Sequence, residues 1–262
     1  RINKFHPFIV LMDAVENYAY RHADLVISPL PNLKTHLLNK GFGNIKIETI
    51  PNGILMEDFK CLNDFGNGIR EGLKKLIDKN SFIVCFAGTL SKSNSVDLLI
   101  GAAKMLQDYD IIQFLIIGDG EEKKRLLNEV RNCNLKNVTF LDRMNRAELL
   151  RHLRQCDVFY NGAPRSILYS YGISSIKIAE YMFLGKPIID ATEAYNNPVS
   201  EANCGIVIQP EDSELLGKAI MKVFSMTREE RIVMGERGKA YAINNLSYEK
   251  IVDRLIAAIE NI

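Results

Sequence analysis

The sequence has almost no net charge: 33 Lys and Arg stand against 32 Asp and Glu, a formal +1 over 262 residues. That balance excludes bulk attraction to a nucleic-acid backbone or an anionic membrane, so any phosphate must be held by a local site. Metal-ligand spacing is also absent. The four histidines (His6, His22, His36, His152) form no HxxxH, and the five cysteines (Cys61, Cys85, Cys133, Cys156, Cys204) include no CxxC. No metal site is expected, and an odd, scattered set of thiols fits a reduced, cytoplasmic setting. No apolar run approaches the ~20 residues of a membrane span, and the charges in "RINKFHPFIVLMDAVEN" come too early for a signal peptide. Repeats, low-complexity tracts and an initiator Met are missing too. A chain that opens at Arg1 directly into a helical pattern is expected to continue upstream.

What is present is an ordinary globular composition, 47% apolar and 25% charged, with enough length for about one and a half domains. The first stretch reads as a helix around Phe8 to Arg21, a strand "DLVIS", a helix "NLKTHLLNK" stopped by Gly41, and a strand "IKIETI". Pro51, Asn52 and Gly53 then supply a turn. The polar, Gly-bearing "CLNDFGNGIREGLKKLIDKN" reads as a connection between domains.

From Ser81 the rhythm becomes regular. The apolar runs "FIVCFAG", "IQFLIIG", "NVTFL", "DVFY", "KPIID" and "GIVI" alternate with helical stretches such as "SVDLLIGAAKMLQD" and "RAELLRHLRQC". Strands apolar on both faces, joined by helices, predict an α/β fold with a Rossmann-like, doubly wound parallel sheet that binds ligands at the carboxyl ends of its strands. Three helices, including "YEKIVDRLIAAIENI", close the chain.

Three places can carry chemistry. In "LIIGDGEEKK", Gly118 and Gly120 stand at a strand-to-helix turn, but Lys123 occupies the third position of a dinucleotide fingerprint, so a tight turn explains them as well. In "FAGTLSKSNSVDLL", Gly88, Thr89, Lys92 and Asn94 precede a helix, where they cradle a phosphate or simply cap. In "YGISSIKIAEYMFLGKPII", the charges before Gly185 are Lys177 and Glu180, three residues apart in an otherwise apolar helix entered through Ser174 and Ser175. They either line the crevice or form an exposed i, i+3 ion pair of about 0.2 to 0.5 kcal/mol.

Taken in order, "ADLVIS", "IETIPNGILMEDF", "FAGTLS…VDLLIGAAKML", "FLIIGDGEEKKRL", "NVTFLDRM", "IAEYMFLGKPII" and "EANCGIVIQPEDSELLGKAI" resemble glycosyltransferase family 4, of the GT-B architecture, across nearly the whole chain. The resemblance implies two facing Rossmann-like domains. Residues 1–55 resemble the tail of the N-terminal acceptor domain with its hinge, residues 56–245 the C-terminal nucleotide-sugar domain, and residues 246–262 the helix that packs back toward the first. It implies retaining transfer with neither metal nor cofactor, from a nucleoside-diphosphate sugar to a saccharide or lipid-linked acceptor, in the cytoplasm or at the inner membrane face. This chain alone is expected to transfer no sugar, because most of the acceptor domain is absent from it.

By the same resemblance Glu180 accepts hydrogen bonds from the donor's ribose. The family's companion Glu falls on Gly172, and its diphosphate-binding Arg and Lys fall on Thr89 and Asn94. A departing diphosphate needs positive charge or aligned N–H donors. Lys177, beside the helix start at Ser174 and Ser175, is the leading replacement, with Lys92 and Arg165 in reserve. Arg143, after "NVTFL", is placed to stack on the base or to sit as an exposed loop cation. These departures resemble the amino-sugar transferase branch of bacterial surface polysaccharide assembly, the capsule and O-antigen pathways. Two rivals share the fold: a GT-B sugar-nucleotide epimerase and a non-catalytic nucleotide-sugar-binding partner. Product analysis separates all three.

Overall fold

The computed structural model describes residues 5–63 and 68–261. The chain opens with α1 (Pro7–His22), β1 (Leu25–Ser28), α2 (Leu33–Asn39) and β2 (Lys46–Thr49), followed by a 3-10 stretch, Met56–Asn63, and α3 (Glu71–Asp78). Then come β3 (Phe82–Ala87), α4 (Val96–Met105), β4 (Ile112–Ile117), α5 (Lys123–Asn132), β5 (Val138–Leu141), α6 (Arg146–Arg154) and β6 (Val158–Gly162). The second half continues with α7 (Ile176–Phe183), β7 (Ile188–Ala191), α8 (Pro198–Glu201), β8 (Gly205–Ile208), α9 (Ser213–Ser225), α10 (Arg228–Tyr241) and α11 (Tyr248–Glu260).

Six strands form one parallel sheet in the order β5-β4-β3-β6-β7-β8. Side chains alternate along each strand, so every apolar run must be buried twice. Phe82, Val84 and Phe86 enter one core with Leu99 of α4 and Ile220 of α9; Ile83, Cys85 and Ala87 enter the other with Leu150 of α6 and Met182 of α7. This is the doubly wound α/β sheet that the alternation predicts. The strand order reverses between β3 and β6, and the crevice at their carboxyl ends is where such sheets receive ligands.

The segment read as a polar connection is more structured than its composition suggests. Its 64–67 portion lies outside the described residues, but α3 follows with Leu73 and Leu76 buried in the second core. Two leucines three residues apart share one helix face, and this short stripe is hidden among charged neighbours.

β1 and β2 form a separate parallel pair, in register from Leu25 opposite Lys46 to Ser28 opposite Thr49. No residue of α1 is buried; Lys40 ties it to α2 by donating to Asp13 at 2.6 Å and to Glu16. α11 reaches this pair: Lys46 donates to the Asn261 carbonyl at 2.8 Å, and Arg254 to the Thr49 carbonyl at 2.9 Å. Among the described residues no helix is long and apolar enough to cross a membrane.

Candidate functional site

The site begins with two glycine turns. Leu90 N donates to the Asp119 carbonyl at 2.8 Å and Glu122 N to the Leu90 carbonyl at 3.0 Å, so the loops after β3 and β4 touch backbone to backbone. Gly118 and Gly120 permit this, with φ of 150° and 156°. A Cβ on Gly118 would meet the Gly88 carbonyl oxygen at 1.9 Å, and one on Gly120 the Leu90 oxygen at 2.3 Å. The contact brings Gly88, Thr89, Asp119, Arg143 and Arg146 around one cleft of about 600 Å³ at the carboxyl ends of β3, β4 and β5. Gly118→Ala is expected to destabilise the fold by about 1 to 3 kcal/mol from backbone strain alone. Urea unfolding, with the midpoint lowered and the slope unchanged, checks it.

α7 is clamped at the same end of the sheet. The Tyr181 ring stacks on Phe159 at 4.2 Å, and its hydroxyl accepts from Ala87 N at 2.8 Å and donates to the Ala87 carbonyl at 3.2 Å. Ser175 caps the helix by accepting from Ile178 N, so α7 starts at Ile176, at the serine entrance that the sequence pattern suggests; Ile167–Tyr171 forms a separate 3-10 turn. With Tyr181 pinned, Lys177 and Glu180 are carried to the crevice.

Lys177 and Glu180 go to different partners. Lys177 Nζ donates to Asn94 Oδ1 at 3.0 Å and sits 4.6 Å from the centre of the Phe86 ring. Burial pulls its pKa down to about 8, against the opposing pull of the Asp190 carboxylate. Asn94 is held in turn, donating to the Thr89 carbonyl at 2.9 Å. Asp190, at the end of β7, is buried and accepts from Asn161, Thr192 and Asn197 at 2.5, 2.8 and 2.6 Å. Desolvation still raises its pKa. Three donors and the Lys177 ammonium oppose that rise.

Glu180 is 9% exposed, and its Oε1 accepts from Arg146 Nη1. Burial raises its pKa while the guanidinium opposes the rise. Arg146, at the first turn of α6, also pairs with Asp58 at 2.9 Å and lies 5.9 Å from the centre of the Phe59 ring. Sequence reading missed Arg146. Its signal was faint: a cation right after Asn145, which caps α6 by accepting from Glu148 N at 2.9 Å.

The remaining candidates spread around this centre. Gly88 and Thr89 are exposed in the cleft wall, and Arg143 is exposed at its rim. Lys92 is exposed at the loop tip. Arg165 lies elsewhere, directed to Gln209 at 3.0 Å and Glu193 at 3.5 Å beyond β7 and β8. Ser174 faces the hinge: its Oγ accepts from Asn52 N at 2.7 Å and its carbonyl from Asn52 Nδ2 at 2.8 Å. Asp142 is paired with Lys123 at 2.5 Å. A hollow of about 660 Å³ at the opposite ends of the strands includes Asp157, Lys186 and Arg231, but Arg231 is committed to the Phe224 and Met226 carbonyls.

A parallel sheet with a glycine-floored cleft at its switch point and a half-buried cation beside it defines a doubly wound, Rossmann-like α/β protein. Residues 71–241 match the family described as Glycosyl transferases group 1, and the chain belongs to that family. Two glycosyltransferases of Methanocaldococcus jannaschii, both uncharacterized, are similar to it. One is 27% identical over 165 residues, covering 60% of this chain and 39% of its own length; the other is 30% identical over 176 residues, covering 64% and 44%. The chain thus spans about two fifths of the length of these curated relatives. Among solved structures, the Anabaena protein HepE in complex with UDP superposes with a TM-score of 0.75 at 19% identity, over 100% of this chain and 70% of that one. The shared fold is that of the GT-B glycosyltransferases.

Proposed function

We propose that this chain binds the nucleoside-diphosphate sugar of a retaining, metal-independent glycosyltransferase. The observation that carries the reading is the Lys177 ammonium, held by Asn94 Oδ1 at the entrance of α4. Asn94 and Thr89 stand where the related enzymes are expected to carry Lys and Arg, and an ammonium arriving from α7 restores positive charge at the place of the lost one. Gly88 and Thr89 line the diphosphate, Arg143 faces the base, Lys92 and the α7 start at Ser174 and Ser175 add polar groups nearby, and Glu180 receives the ribose. HepE, with the same fold, has been crystallised with UDP-glucose.

In this proposal residues 1–55 are the tail of an acceptor-binding domain with its hinge, the final helix, 246–262, packs back toward that domain, and residues 56–245 hold the donor without a cofactor. Among the described residues the N-terminal part has one two-stranded sheet and an α1 with no buried residue, and in this proposal the chain binds donor without transferring sugar. The coupled departures at Thr89, Asn94 and Gly172 favour the amino-sugar branch. They point to capsule or O-antigen assembly on a lipid-linked or saccharide acceptor at the cytoplasmic membrane face. One observation favours a second reading, a non-catalytic nucleotide-sugar binder: the packing of Gly172 leaves no room for a carboxylate.

Thermal shift with UDP, GDP, ADP and CDP tests the donor site. One of them is expected to raise the melting temperature clearly, since ligand at a hundredfold excess over its dissociation constant stabilises the native state by about 2.7 kcal/mol. No response to any of the four at millimolar concentration would refute the site. Assay of the whole enzyme for a new glycoside then separates transferase from binder.

A further inference from the structure

Glu180 offers its two oxygens unequally. Oε1 is taken by Arg146 Nη1, whereas among the described residues no hydrogen bond reaches Oε2. Arg146 is fixed from the other side, its Nε on Asp58 Oδ2 at 2.9 Å and its guanidinium carbon 5.9 Å from the Phe59 ring centre. Phe59 in turn packs on Phe183 of α7 at 4.2 Å. Both Asp58 and Phe59 belong to the 3-10 stretch that leads from the β1-β2 pair to α3. The same guanidinium lines the cleft with Gly88, Thr89 and Gly118. An arginine with a rigid fork of donors, anchored at two points, holds a carboxylate in one orientation far better than solvent does.

We infer that Arg146 is a positioning residue for the ribose of the bound nucleotide: it pins Glu180 through Oε1, so that Oε2 faces a ribose hydroxyl, and is itself held by Asp58 of the linker. The inference rests on the donor-site reading and adds to it a residue that touches no reacting atom, together with a role for the linker. Without the guanidinium Glu180 turns or takes up a proton, and in either case loses acceptor strength toward the hydroxyl. The charged groups that face Glu180 are Arg146 from α6, which favours the carboxylate, and Asp58 from the linker, which opposes it.

Calorimetry with UDP and 2′-deoxy-UDP on wild type, Glu180→Gln, Arg146→Gln and Arg146→Lys tests this. Wild type is expected to favour UDP by about tenfold, the scale of one hydrogen bond to a charged group. Glu180→Gln and Arg146→Gln should each reduce that preference below about twofold, with 2′-deoxy-UDP binding changed less than about threefold, and Arg146→Lys, which keeps the charge but loses the fork, should retain only part of it. Loss of the preference in Glu180→Gln but not in Arg146→Gln overturns the inference and leaves the donor site standing. Equal preference in wild type and Glu180→Gln refutes the ribose contact itself. Equal weakening of both nucleotides by Arg146→Gln assigns Arg146 a direct or purely structural role. A ligand-free measurement makes the test independent of the base. A buried carboxylate with a raised pKa keeps its proton in the native state while the unfolded chain releases it, so stability falls as pH rises through that window. Above the ordinary carboxylate range the melting of Arg146→Gln should therefore fall more steeply with pH than that of wild type, and Arg146→Gln with Glu180→Gln should lose that extra slope and run parallel to Glu180→Gln; parallel profiles of Arg146→Gln and wild type overturn the inference.

Discussion

Lys177→Met is expected to weaken nucleoside diphosphate binding by about 10- to 100-fold, the scale of one or two hydrogen bonds from a cation, and nucleoside binding by less than about twofold. The distinction follows from geometry. The ammonium lies between Asn94 and the Phe86 ring at the entrance of α4, with Arg143 on the far rim of the cleft, so its loss concerns phosphate and not base. Calorimetry with both ligands measures it, and equal losses would remove Lys177 from the phosphate site.

The pH profile carries a second signature of the same residue. In the free protein Lys177 titrates at about 8, and the negative charge of a bound diphosphate raises that value. Binding above pH 8 therefore takes up a proton, and affinity should fall about tenfold per unit as pH rises, until the raised value is passed. Lys177→Met should be flat over that range. Folding has the opposite slope: the unfolded chain keeps its lysine protons to higher pH than the native state does, so this residue destabilises the fold below about pH 8, and its cost fades as pH rises toward the ordinary lysine value.

Gly172→Glu should be the most damaging single substitution that family resemblance suggests. The glycine has φ of +115°, and a Cβ there would meet Pro31 Cδ at 2.5 Å and Asn196 Oδ1 at 2.8 Å. Backbone strain of about 1 to 3 kcal/mol adds to overpacking of about 1 to 3 kcal/mol. A fall in melting temperature of about 5 to 20 °C is expected for a chain of this size. Melting within about 2 °C of wild type would show that the loop moves freely. The surrounding bonds argue against that: Asn32 N donates to the Tyr171 carbonyl at 2.9 Å, Asn32 Nδ2 to the Ser170 carbonyl at 2.8 Å, and Ile173 N to Asn196 Oδ1 at 2.7 Å. The loop is stitched on one side to the segment after β1 and on the other to Asn196, so an added carboxylate has nowhere to go.

The fold was legible because its code is local. Apolar runs buried on both faces and separated by helical stretches leave few alternatives to a doubly wound sheet, and Gly118 and Gly120 mark their turn in the sequence as they do in space. The helical stripe of Leu73 and Leu76 was not legible, since two apolar residues among charges form too short a pattern to separate from a polar connection. The start of α7 was blurred for a related reason: Ser174 and Ser175 are equally good caps by type, and only the bond from Asn52 to Ser174 decides which one is left to cap.

The site divides along the same line. Lys177 and Glu180 stood out by themselves, two charges in an apolar helix, and one turn of α-helix dictated that both emerge near the same crevice. Their partners were beyond reach of any local reading. Asn94 lies 83 residues from Lys177, Arg146 lies 34 from Glu180, and Asp58 belongs to a segment that composition marks as linker. Spacing along a chain determines which face a side chain takes, because helix and strand periods are short. Which distant group meets that face is set by how the strands order themselves across the sheet, and only the packed structure decides that a helix entering beside β3 brings a lysine to Asn94 and a glutamate to Arg146.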